Sequence, residues 1–190
     1  NEVVMYKSIS ALILTLLLST AVFSQTYTIV PDESEIIVWG TSNVHDWEAP
    51  AEEFSGSATI ELADDSLVSI TSLEFSVVAE EINSGKGGMD KRIDDALKVN
   101  KHKNITFVLT DITDVESSTL TANGELSIAG VTKNVQMKVE YQLQADGTIL
   151  FNGKQNIDMT EFNIDPPTAV FGTIKAGEKV DVEFNAKFAQ

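Results

Sequence analysis

Two histidines, His45 and His102, are the residues best suited to acid–base or metal chemistry in this chain, and they stand far apart in different segments. Neither shows the ligand spacing of a zinc site. No serine sits in a G-x-S-x-G elbow, and no phosphate loop or dinucleotide fingerprint is present. The carboxylate pairs Asp64–Asp65 and Asp94–Asp95 fall in polar turn or helix contexts, which mark solvated faces rather than acid/base pairs. The chain has no cysteine, which removes disulfides, thiol nucleophiles, thiolate metal sites and a lipid-modified N-terminal cysteine. The expectation is a non-enzyme with no catalytic residues, no metal and no cofactor.

If the chain does not catalyse, its composition bounds what it can bind. The formal net charge is −16 and the pI about 4.3. Such a surface repels phosphate backbones and predicts no nucleic-acid partner. It also opposes adsorption to anionic headgroups. Hydrophobic residues make up 43% of the 190 residues, enough for one domain with a sizeable core and no disulfides.

The first residues read as a targeting segment. Met5 to Ser24 carries Lys7, an apolar run from Ala11 to Leu18, and the small-residue stretch Ala21-Val22-Phe23-Ser24. That order is the pattern of a secretory signal peptide, and the run is short of the roughly 20 residues a membrane span needs. Residues 1–24 are therefore predicted to be a signal peptide with a short upstream extension (Asn1–Val4), and 25–190 a single domain. The mature protein is expected to be periplasmic or secreted, without stable membrane insertion.

The rest of the chain alternates apolar and polar residues, the period of half-buried strands. One row is Phe54, Gly56, Ala58, Ile60 and Leu62. Others are Leu73, Phe75, Val77 and Ala79; Ile105, Phe107 and Leu109; and Leu120, Ala122, Gly124, Leu126 and Ile128. A long row runs from Val131 through Val135, Met137, Val139 and Tyr141 to Leu143, and Val180, Val182, Phe184, Ala186 and Phe188 close the chain. Weaker segments cover Tyr27–Val30, Ile36–Thr41 and Thr148–Met159. That makes eight or nine strands, spaced too closely for parallel crossovers. Met89, Ile93 and Leu97, four apart with charges between, predict one short amphipathic helix. Ser84–Gly88 before it, and Asp165–Glu178 with Pro166, Pro167, Gly172 and Gly177, read as flexible.

Long strands with one apolar face each bury it by closing into a barrel, which also removes the sheet edges. A two-layer sandwich meets the same need, but the strands are long for one. A membrane barrel would carry aromatic girdles, and aromatics are only 7% here. The small residues Gly56, Ala58, Ala79, Ala122, Gly124 and Ala186 in the inward rows suggest a cavity, unless bulky partners such as Phe75 and Phe184 fill it. His45-Asp46-Trp47 follows a strand, where the imidazole and indole would meet a ligand headgroup or Trp47 would cap one end. Lys98 and Lys101 follow the helix, facing solvent or attracting a phosphate-bearing headgroup. Phe162 and Phe171 flank the Pro-rich stretch as a gate or as end packing.

The segment Gly124-Glu125-Leu126-Ser127-Ile128-Ala129-Gly130-Val131-Thr132-Lys133-Asn134-Val135 resembles the G-x-L-x-I-x-G-V-T-K-x-V signature of the YceI-like family. Tyr27-Thr28-Ile29, the Met89–Leu97 helix, Ile105-Thr106-Phe107, Glu161-Phe162-Asn163-Ile164 and Gly177-Glu178-Lys179-Val180 match in the same order. Asn104 departs from the family's usual proline, and Ser42–Trp47 is a variant of its loop after the first long strand. The resemblance implies a closed, eight-stranded antiparallel lipocalin-like barrel, all-β with one short connecting helix, that holds a polyisoprenoid or fatty-acyl lipid in an apolar tunnel. Combined with the inward rows, it implies a lining of Phe75, Val77, Phe107, Ala122, Gly124, Leu126, Met137, Val139, Phe162 and Phe184, with His45, Trp47 and Lys98 at the mouth. The alternatives are a ligand-free structural or stress-response envelope protein with a side-chain-filled barrel, and an enzyme on the same scaffold. A homodimer stays open.

Overall fold

The computed structural model describes residues 23–63 and 66–190. Nearly all of the expected targeting segment and the Asp64–Asp65 pair lie outside the described residues. The chain runs β1 (Phe23–Ile29), β2 (Glu35–Ser42), β3 (Trp47–Pro50), β4 (Phe54–Ala63), β5 (Ser66–Val78), α1 (Gly87–Leu97), β6 (Asn104–Thr113), β7 (Thr119–Ile128), β8 (Val131–Leu143), β9 (Ile149–Asp158), β10 (Thr168–Ala169) and β11 (Ile174–Ala189).

Hydrogen bonding runs β1-β4-β5-β6-β7-β8-β9-β11, antiparallel throughout, and returns from β11 to β1 at Ile29↔Phe188. The sheet is thus a closed eight-position barrel. Two positions are shared. β2 pairs with β11 on the same edge as β1, further toward the β11 N-terminus. β3 pairs with β2 and leads into β4. The break between β1 and β2 is a 3-10 turn over Pro31–Glu33. Proline has no N–H to give a ladder, so the strand stops there. The corner is tied down: Ser34 Oγ donates to the Val30 carbonyl at 2.7 Å and accepts from Lys187 N at 2.9 Å.

The inward rows are those of the alternation, because period 2 sends every second side chain to one face. On β8, Thr132, Asn134, Gln136, Lys138, Glu140 and Gln142 are exposed while Val139 is buried. The outer wall is polar, the reverse of what a lipid-facing barrel requires. Among the described residues no helix is long and apolar enough to cross a membrane.

Three local expectations are corrected. Ala79 does not extend β5; it opens a 3-10 turn (Ala79–Glu81) and is buried there. The stretch Ser84–Gly88 is not loose. Asp90 Oδ1 accepts from Ser84 N at 2.7 Å and from Ser84 Oγ at 2.5 Å, and the helix starts at Gly87. Asp165–Glu178 is not a flexible loop either. It holds the β10–β11 hairpin, with Thr168 opposite Lys175, and β11 then bulges between Ala176 and Val180.

A blind apolar cavity in the barrel

The strands enclose a cavity of about 570 Å³. Its wall is built from the inward rows: Phe75 and Val77 on β5, Phe107 on β6, Ala122 and Leu126 on β7, Met137 and Val139 on β8, and Phe184 on β11. These eight expected residues come together in one space. β2 adds Ile36 and Val38, and β9 adds Phe151 and Ile157. Among the described residues no charged or polar residue is buried, so the deep wall offers dispersion and desolvation, and the cations Lys86 and Arg92 that line the cavity are not buried in it.

One end is shut. Tyr27, Ile60 and Ile149 are fully buried below the cavity, and the Tyr27 hydroxyl accepts from Gln190 Nε2 at 3.0 Å, which satisfies the one polar group of that plug. Phe151 and Phe188 meet edge to face above it, with centroids 5.6 Å apart, the geometry aromatic quadrupoles favour.

The other end opens beside α1. The face Met89–Ile93–Leu97 lines the cavity, and a four-residue spacing is what keeps these three side chains on one side of a helix. Arg92 Nε reaches across to the Thr168 carbonyl at 2.9 Å, and its Nη1 also donates to Gly88 O. The guanidinium thereby straps α1 to the β10–β11 hairpin over the mouth. Lys86 and Gln155 are further polar lining residues. Burial, and then the carboxylates of Glu80, Asp90 and Asp95, raise the Asp94 carboxyl above its ordinary value.

Two expected lining residues do not face the cavity. Gly124 is inward but covered, because the Phe107 ring occupies the space where its Cβ would be. The same seating recurs at Gly40 under Trp47, Gly56 under Phe75 and Gly153 under Phe184. The glycines create room by letting rings lie flat on the wall, rather than by leaving gaps in it. Phe162 is buried behind the wall, packed on the lining residues Met159, Ile164 and Val180, in a 3-10 turn (Met159–Phe162) capped by Asp158. Phe171 does not pack the barrel end: it is fully exposed.

The mouth residues divide. Trp47 lines the cavity with its ring on Gly40, and its Nε1 donates to the Thr41 carbonyl at 3.0 Å; this is the capping arrangement. His45 is exposed at the rim. Lys98 is not at the mouth. It ends α1 in the left-handed conformation, φ 56°, and its Nζ donates to the Asn163 carbonyl at 3.1 Å. Among the described residues no group of three or more His, Cys, Asp or Glu is placed to hold a metal ion.

A closed antiparallel barrel around one blind apolar cavity defines a small-ligand-binding barrel class. The YceI-like domain model matches residues 27–188, and the chain belongs to that family. No curated protein sequence matches it. Among solved structures, Burkholderia cenocepacia BcnA superposes with a TM-score of 0.71 at 16% identity, covering 85% of this chain and 99% of that one. The Campylobacter jejuni YCEI protein gives 0.60 at 18% identity over 75% and 84%. A polyisoprenoid-binding domain from Saccharophagus degradans, implicated in plant cell wall breakdown, gives 0.65 at 11% identity over 85% and 97%. At these identities the likeness is one of fold.

Proposed function

We propose that this protein is a secreted or periplasmic, non-catalytic carrier that holds one long apolar molecule, a polyisoprenoid or fatty-acyl lipid, with its tail toward the Tyr27–Ile60–Ile149 plug and its head at the α1 mouth. The observation that carries the reading is the cavity of about 570 Å³ with an almost wholly apolar wall, above the fully buried Tyr27, Ile60 and Ile149. Its volume falls in the range of about 300–1,000 Å³ typical of small-molecule sites. Each methylene taken from water contributes about 0.8 kcal/mol, so a long tail binds tightly without a charged contact. The polyisoprenoid-binding description of the Saccharophagus domain, a barrel of the same fold, supports the isoprenoid class.

The ligand-free alternative requires side chains to fill the interior, and the aromatic rings seated on Gly56, Gly124 and Gly153 leave the axis open instead. Native mass spectrometry of the purified protein, followed by organic extraction, tests the carrier. A bound mass in the lipid range that extracts into organic solvent is expected. Protein purified without any such adduct that also fails to take up added prenyl or acyl chains would overturn the reading.

A further inference from the structure

The tip of the β10–β11 hairpin presents apolar residues in a backbone that ordinarily selects polar ones. Val170, Phe171 and Gly172 follow one another at φ 48°, 52° and 84°. Asn, Asp and Gly tolerate that left-handed region, and a β-branched residue there is an outlier. The turn is nevertheless well tied: Thr173 N and Oγ1 both donate to the Val170 carbonyl, at 3.1 and 2.8 Å. It holds Phe171 wholly out in solvent and Val170 at 59% exposure.

A second tip lies beside the first. In the β2–β3 turn Val44 is 64% exposed. Its neighbour Asn43 clamps the two turns together, with Nδ2 donating to the Thr173 carbonyl at 2.8 Å, Oδ1 accepting from Lys175 N at 2.8 Å, and N donating to the Lys175 carbonyl at 3.1 Å. The residues flanking these tips, Ser42, His45, Ala169 and Ile174, face the cavity. The apolar cavity wall therefore runs up two hairpins and out onto an apolar edge.

We infer that Val44, Val170 and Phe171 form a docking edge that inserts shallowly into the surface of a zwitterionic lipid bilayer, so that cargo passes between membrane and cavity without crossing water. The inference rests on the carrier reading for the nature of the cargo. Scattered exposed apolar residues are ordinary; these three are clamped side by side at the opening of an apolar cavity whose far end is shut. An aromatic residue at such an edge partitions into the headgroup–acyl boundary. The net charge of −16 opposes anionic surfaces, which selects a zwitterionic one. The contact is peripheral and reversible.

The test uses the whole protein and the variant Val44→Ser/Val170→Asn/Phe171→Asn. Asparagine accepts positive φ, so the turn persists. Flotation of the empty protein with phosphatidylcholine–phosphatidylethanolamine vesicles is measured first, then transfer of a fluorescent fatty acid between vesicles. Wild type is expected to float and the variant to stay in the dense fraction, with transfer slowed at least tenfold. The affinity of both for the same fatty acid, titrated in vesicle-free buffer, is expected to agree within twofold. Equal flotation of the two proteins, or no flotation of wild type, overturns the docking edge. So does a wild-type dimer on gel filtration that the variant abolishes while neither floats. Failure of the vesicle-free titration overturns the carrier reading instead, since flotation is read without cargo.

Discussion

The Phe107 ring lies directly on Gly124 of the neighbouring strand, in the position a Cβ would occupy. The backbone of β7 is thus part of the ring's packing surface, and any side chain at 124 must displace it. Gly124→Val is expected to turn Phe107 into the cavity, to cost about 1–3 kcal/mol of stability as overpacking does, and to weaken long chains more than short ones. Thermal unfolding and a chain-length titration check both effects; an unchanged melting temperature would remove this account of the glycine.

Inward and outward faces of β8 are expected to respond differently to charge. Val139 is 5% exposed at the cavity wall, and Glu140 is exposed on the outside. Val139→Asp buries a carboxylate without a partner and should cost several kcal/mol. Glu140→Lys should move stability by about 0.5 kcal/mol or less. Denaturant midpoints of the two variants read the difference.

On the carrier reading, the plug sets how long a tail fits. Ile149 is fully buried beneath the cavity, so Ile149→Ala extends the space downward at a cost of about 2–5 kcal/mol. The chain length of greatest affinity is expected to shift upward in this variant. The same optimum in variant and wild type would mean that the tail stops short of the plug.

Gly130, in the β7–β8 turn, has φ 83°, and His102 packs where its Cβ would be. Gly130→Ala combines left-handed strain of about 1–2 kcal/mol with displacement of the imidazole. It should destabilise the fold while leaving the affinity of the folded protein unchanged, as melting curves and titrations below the transition will read.

Acid is expected to weaken the fold through three carboxylates held below the usual carboxylate range. Thr148 hydrogen bonds lower Asp146, Thr160 hydrogen bonds lower Asp158, and Asp181 is lowered first by Asn156 and then by Lys154. Each binds fewer protons folded than unfolded around the ordinary value of about 3.9. Their contribution is therefore complete above that value and is lost as pH falls through the lower folded values. Melting temperatures between pH 7 and pH 3 should fall at the acid end, and Asp158→Asn should flatten that fall.

Much of this barrel is legible in the sequence because period 2 and burial are the same fact read twice. The rows on β4, β6, β7 and β11 stand where the alternation puts them, and the spacing of Met89, Ile93 and Leu97 marks the α1 face that lines the cavity. What the sequence hides is cross-strand. Gly124 reads as a space in its own row and is filled by Phe107 from the next, a fact that needs the register of β6 on β7. Lys98 follows the helix closely, but a left-handed C-cap turns the chain and sends its amine to Asn163. Arg92 looks like one more charge on a solvated helix face until the hairpin it straps is in place. The Pro- and Gly-rich stretch that suggests looseness instead supplies turns for β10 and β11.

The shut end at Tyr27, Ile60 and Ile149 makes the barrel a cup and not a pipe. On the carrier reading proposed above, whatever goes in first comes out last, and cargo would not be handed through from one membrane to another in a single direction. Exchange would then reverse at the same rim, and an occupied cup would be emptied before it is refilled. Net transport would then follow the difference in cargo abundance between the surfaces the rim visits, with direction set by the reservoirs and not by the protein.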